Sequence, residues 1–135
     1  MRVIIDTNVF ISGIFWSGSP AQIMKLWEER KLSLILSDEI FEEYKRVAFH
    51  LEEQYGPIDL EPFFDLLIFY GEFYTPIKSS KVICKDPDDD KFLNCALAAS
   101  VNIVISGDKE LLSLSNYQGV EILKPAAFLK KFTKG

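Results

Sequence analysis

Asp6, Glu43, the run Asp86, Asp88, Asp89 and Asp90, and Asp108 are the residues whose type and spacing point to chemistry. Asp6 closes a short β-branched run, Val3 to Ile5, and Asp108 follows another, Val101 to Ser106, after Gly107. His50 is the only histidine and Cys84 and Cys95 the only cysteines. Sites built on several imidazoles are thereby excluded, and so is a disulfide scaffold. Carboxylates gathered within about 5 Å repel one another in a partly dry cleft, which raises a pKa or recruits a cation. Oxygen donors without His or Cys partners select a hard ion, Mg²⁺ or Mn²⁺. Such a site aligns a water and a phosphate for in-line displacement, so the chemistry indicated is metal-dependent phosphodiester hydrolysis.

The elements that must position these acids alternate along the chain. Val3 to Ile5 reads as a buried strand running into a helix start at DTN. Pro20 sits where a second helix begins, and Leu32 to Leu36 reads as a second strand. Ser37 caps a long helix with Asp38 and Glu39 in its first turn. A Phe- and Leu-rich helix is expected from Leu60 to about Phe73, and a weak strand over Val82 to Cys84. DPDDD leads into a helix from Lys91 to Ser100, Val101 to Ser106 is the clearest strand, and GDKELLSL a short helix. Val120 to Leu123 is the last strand and PAAFLKKF the last helix. Strands alternating with helices predict an α/β fold with a mainly parallel central sheet covered on both faces. Ligands of such sheets gather at the carboxyl ends of the strands, which is where the acids fall.

Helical phase sorts the carboxylates. Ile40, Tyr44, Val47 and Leu51 form one stripe. At roughly 100° per residue, Glu43 lies about 40° from Val47, at the stripe's edge, while Glu42 faces water. Phe92, Leu93, Ala96 and Ser100 share a face with Asp89 at its centre. Asp86, preceding Pro87, is expected to be extended. An aspartate on an apolar face is costly unless its charge is offset. Each acid also has a plainer reading: Asp6 and Asp108 as helix N-caps, Asp89 as a first-turn acid, Glu43 as a solvated edge residue. Taken together, those readings leave the convergence of four acids on one end of one sheet unexplained.

Composition bounds the rest. The chain has 135 residues, 48% hydrophobic, with 15 Lys plus Arg against 20 Asp plus Glu, a formal charge of −5. That length suits one domain spanning residues 1–135, and the charge excludes a uniformly basic nucleic-acid binder. No apolar run approaches the roughly 20 residues that span a bilayer, and MRVII reaches Asp6 before a signal-peptide core forms. A soluble, cytoplasmic protein is expected. DPDDDK has Asp at alternate positions, as calcium loops do. It carries Lys91 where they need glycine and Leu97 where they need Glu, so that reading fails. An aspartyl-phosphate phosphatase needs an acid two residues beyond Asp6, where Asn8 stands. His50 is expected at the surface, and the two cysteines as small apolar fillers.

Four segments, VIIDTNVFISG, SDEIFEEYKRV, DPDDDKFLNCALAA and VNIVISGDKELL, stand in an order and near a spacing that resemble the PIN domain, in particular the VapC-type toxins of prokaryotic toxin–antitoxin systems. The resemblance runs from Met1 to about Leu123. It implies a three-layer α/β/α sandwich and a ribonuclease in which Asp6, Glu43, Asp89 and Asp108 hold one or two Mg²⁺ or Mn²⁺ ions. Asn8 and Ser106 match positions that orient the carboxylates, Ser106 standing where threonine is common. Within the crowded third motif, Asp86 or Asp90 is a candidate auxiliary ligand to the metal. The resemblance also implies a cognate antitoxin and a homodimer.

An acidic protein needs local positive charge to hold RNA. Lys45, Arg46, Lys85 and Lys109 lie near the acids in sequence, and lysines concentrate without acids at the C-terminal end. One helix face cannot bury all the aromatics between Leu60 and Tyr74, so part of that surface, or the Phe15–Trp16 loop, is expected to meet a second copy or an antitoxin. Two other classes compete: a catalytically silent PIN-like module that binds RNA or protein, and a structure-specific DNA nuclease. The latter is disfavoured by the lack of long insertions to clamp DNA.

Overall fold

In a computed structural model, residues 1–76, 83–84 and 86–134 are described. Four central strands are parallel: β1 (Arg2–Ile5), β2 (Ser33–Leu36), β4 (Ile103–Ile105) and β6 (Val120–Leu123). Two short strands complete the edges, β3 (Glu72–Phe73) parallel to β2 and β5 (Asn116–Tyr117) antiparallel to β6. The order is β3-β2-β1-β4-β6-β5. Among the described residues the sheet is thus mainly parallel, and its middle strands are apolar on both faces, as a sheet covered twice requires.

The helices are α1 (Thr7–Phe15), α2 (Ser19–Glu28), α3 (Asp38–Tyr55), α4 (Glu61–Tyr70), α5 (Asp90–Ala99), α6 (Lys109–Leu114) and α7 (Pro125–Lys134). A 3-10 turn, Pro87–Asp89, precedes α5. α5 lies across β1, β2, β4 and β6, while α2 packs on α1 and α7, giving the expected α/β/α sandwich. The core is continuous from Val3, Ile4 and Ile5 through Leu34–Leu36 to Val104, Ile105 and Phe128. Among the described residues, no helix is long and apolar enough to cross a membrane.

Two expectations are corrected. The helix expected to run to about Phe73 ends at Tyr70, and Glu72–Phe73 add to the edge of β2 instead. Gly71 makes the break: it is extended, and its N–H still reaches the Leu67 carbonyl, so close that a Cβ would lie 2.4 Å from that oxygen. The strand expected over Val82–Cys84 is not formed at Ile83 or Cys84, and Val82 lies outside the described residues. Cys84 and Cys95 are buried free thiols, and burial pushes both up to about 12, which leaves them unreactive fillers. Replacing Gly71 by alanine is expected to lower the unfolding free energy by about 1–3 kcal/mol through this overlap. Urea titration checks it, and an unchanged midpoint would contradict the close approach.

Candidate active site

The register of two strands starts the site. Ile4 pairs with Val104 and Ile5 with Ile105, so Asp6 and Ser106, each one residue past its strand, emerge side by side. The Asp6 N–H continues the ladder to the Ile105 carbonyl at 3.0 Å. Asp6 is 4% exposed, caps α1 by accepting the Val9 N–H at 2.9 Å, and accepts the Ser106 hydroxyl on its other oxygen. Ser106, fully buried, also accepts the Asp108 N–H at 3.0 Å, so one hydroxyl ties the Asp6 carboxylate to the Asp108 backbone. Asp108 caps α6 through the Glu110 N–H at 2.8 Å. The plain capping role and the placement of a charge at the sheet's end are therefore the same geometry.

α3 delivers Glu43. Its neighbour Tyr44 is buried, stacks on Phe10 of α1 with ring centroids 4.2 Å apart, and donates its hydroxyl to the Ile5 carbonyl. Burial, then the nearby Asp6 charge, push the Tyr44 phenol well above its ordinary value, so it stays a donor. This fixes α3 against β1 with Glu43 at the edge of the buried stripe. Glu43 accepts the Thr7 hydroxyl on Oε2, and Lys91 lies 2.8 Å from Oε1.

Asp6, Glu43, Asp89 and Asp108 line one cleft of about 160 Å³, together with Thr7, Asn8, Val47 and Phe92. Asp89 ends the 3-10 turn and is half-buried. Burial, with the charges of Asp108, Asp86 and Asp6, pushes its carboxyl up to about 6 against the pull of Lys91. Asp6 is raised as well, by burial and Asp108, against the hydrogen bonds from Ser106 and Val9. Among the described residues, no three acidic, His or Cys side chains stand close enough as oriented to hold one metal ion. The donor set nevertheless fits a divalent cation: it is all-oxygen, faces one cleft, and is buried and like-charged enough that two of its pKa values are raised. An ion would have to draw the splayed carboxylates inward.

The other sequence candidates fall at different distances from this cleft. Asn8 is exposed on its wall and, among the described residues, makes no hydrogen bond to the carboxylates; Thr7 supplies the hydroxyl to Glu43 instead. Asp86 is exposed and caps the 3-10 turn by accepting the Asp88 N–H at 3.0 Å, near enough to Asp89 to raise its pKa. Asp90 does not join the group. It is buried with its oxygens accepting the Ile83 and Cys84 N–H groups at 2.9 and 2.7 Å. Burial works against that charge, but these bonds prevail and lower its pKa. Arg46 is exposed, 3.7 Å from Glu43, and Lys109 is exposed beside Asp108. Lys45 faces the other way, over the Phe41 ring, and Lys85 lies outside the described residues.

Thr7 and Lys91 were not singled out by sequence. Lys91 left a signal: it stands four residues before Cys95, in a helix apolar nearly all round. A lysine there must find a counter-charge or stay out of the core.

Residues 2–110 match the PIN domain family, and the chain belongs to it. PIN domains are generally nucleases, so the fold is of nuclease type. The chain is also similar to the uncharacterized protein MJ1680 of Methanocaldococcus jannaschii. The two are 30% identical over 147 aligned residues, covering 99% of this chain and 93% of the relative.

Adjacent aspartates are expected to act with opposite sign. Asp89 has a folded pKa above its unfolded value of 3.8, so it costs nothing below about pH 4 and its full penalty above about pH 6. Asp89→Asn should stabilise the metal-free protein at pH 7.5 by about 0.5–1 kcal/mol, solvent screening a half-exposed carboxylate, with the gain vanishing near pH 4. Asp90, with a lowered pKa, supplies stability above its unfolded value, and Asp90→Asn should cost about 1–3 kcal/mol at the same pH. Denaturant titrations at both pH values check this; equal effects of the two substitutions would contradict it.

Proposed function

We propose that this protein is a metal-dependent endoribonuclease that hydrolyses RNA phosphodiester bonds as the toxin of a cytoplasmic toxin–antitoxin pair. The observation that carries the reading is the meeting of Asp6, Glu43, Asp89 and Asp108 in one cleft at the carboxyl ends of β1 and β4. These four would hold Mg²⁺ or Mn²⁺, which when bound neutralises the cluster and supplies an activated water and a Lewis acid. Ser106 keeps Asp6 and Asp108 in register, and Thr7 turns Glu43 toward α1. Exposed Arg46 and Lys109 add positive charge beside the cleft, where a phosphate backbone would pass.

Partner binding is supported by an apolar surface. Ile68 is 61% and Phe69 79% exposed on α4, with Tyr70 beside them, and Trp16 is exposed near Tyr55. A second copy and an antitoxin are the partners this reading assigns to that surface.

Asp6→Asn and Asp89→Asn are expected to reduce Mn²⁺-dependent cleavage of a panel of single-stranded and hairpin RNAs by about 10³-fold or more, with unchanged circular dichroism. A fully active Asp89→Asn protein would refute the assignment. In light scattering at micromolar concentration the wild type should dimerise and Ile68→Ser/Phe69→Ser shift toward monomer; a wholly monomeric wild type would remove self-association from the reading.

A further inference from the structure

Lys91 carries a charge that the proposed cleavage does not require and that the fold holds almost out of water. It is 6% exposed, at the start of α5, with its ammonium 2.8 Å from Glu43 Oε1 and 3.2 Å from Asp88 Oδ1. We propose that Lys91 is a tethered counter-ion that occupies Glu43 when no divalent ion is bound and so sets how tightly that ion is held. The inference rests on the metal-dependent reading above.

Both oxygens of Glu43 are engaged within the protein, Oε1 by Lys91 and Oε2 by Thr7. Arg46 also approaches Oε1, at 3.7 Å, but its side chain is 73% exposed and water screens it. The Lys91 side chain is 5% and that of Glu43 13% exposed, so their pair is screened far less, and a buried ammonium is retained only where carboxylates compensate it. A divalent ion that recruits Glu43 must take Oε1 from this ammonium or Oε2 from the Thr7 hydroxyl, and meets the ammonium's positive charge in either case. The same group spans two elements. Glu43 belongs to α3, and Asp88 to the turn that carries Asp89, so one ammonium holds the second and third acidic segments at a set distance. Lys91 is thus a positioning residue: it acts on the metal through Glu43 and stabilises the cleft before the metal arrives.

Mn²⁺ titration calorimetry without RNA, on the wild type, Lys91→Met and Lys91→Arg, tests this. Lys91→Met is expected to bind Mn²⁺ about tenfold more tightly than the wild type, the competing charge being gone. Lys91→Arg keeps the charge and should stay within about threefold. Equal or weaker binding by a folded Lys91→Met protein would overturn the inference while leaving the metal-dependent reading intact. A wild type that gives no Mn²⁺ heat at millimolar concentration would overturn that reading, and the competition with it. Thermal unfolding without metal supplies an independent check: Lys91→Met and Glu43→Gln should shift the midpoint non-additively, and additive shifts would contradict the pairing. If Lys91→Met fails to fold, Lys91→Gln removes the same charge with a polar tip and carries the same expectations.

Discussion

Like-charge repulsion is the constraint around which this molecule is built. Asp6, Asp89, Asp108 and Glu43 face one cleft of about 160 Å³, where burial first and neighbouring carboxylates second raise the pKa values of Asp6 and Asp89. The fold tolerates the repulsion because three of the four acids are fixed by something other than their neighbours. Asp6 and Asp108 are helix caps tied through the buried Ser106 hydroxyl. Glu43 is held by Thr7 and the buried Lys91. The pairing of Ile5 with Ile105 decides where the first two emerge, and the Tyr44 contacts with Phe10 and Ile5 decide where the third arrives. Stability is given up locally for a concentration of negative charge that a cation can relieve.

The same arrangement separates roles among residues that look alike in sequence. Within DPDDDK, Asp86 caps a turn, Asp88 pairs with Lys91, Asp89 faces the cleft and Asp90 anchors the segment at Ile83 and Cys84. Asp90 keeps its charge because two backbone amides point at it, whereas Asp89 is half-buried with Asp108 and Asp86 nearby. One extra step along the chain thus converts a destabilising charge into a stabilising one.

Much of this was legible in the residues. Short β-branched runs ending in Asp marked the ends of β1 and β4, and helical phase separated Glu43 from the solvent-facing Glu42. Asp89 was reached in the same way, though it sits in a 3-10 turn rather than within α5. What escaped depends on contacts between elements. Lys91 and Thr7 matter only because α3 brings Glu43 between them, and no spacing along one helix records that. Asp90 escaped because its partners are amides of an irregular segment. The two-residue strands β3 and β5 are too short to show a period, and the break at Gly71 follows from its close approach to Leu67 rather than from pattern. The exposed apolar residues of α4 follow from counting aromatics that one face could not bury.

The central claim is that the four carboxylates form one cation site. Its most direct measurement is Mn²⁺ titration calorimetry on the wild type and on Asp108→Asn, which leaves the Ser106 hydroxyl and the strand register in place. The account predicts a saturable binding heat in the wild type and affinity weakened by at least about tenfold in the variant, a side chain that supplies ligand oxygens having lost its charge. Equal affinity in both proteins would contradict it, because the ion would then be bound somewhere other than this cleft.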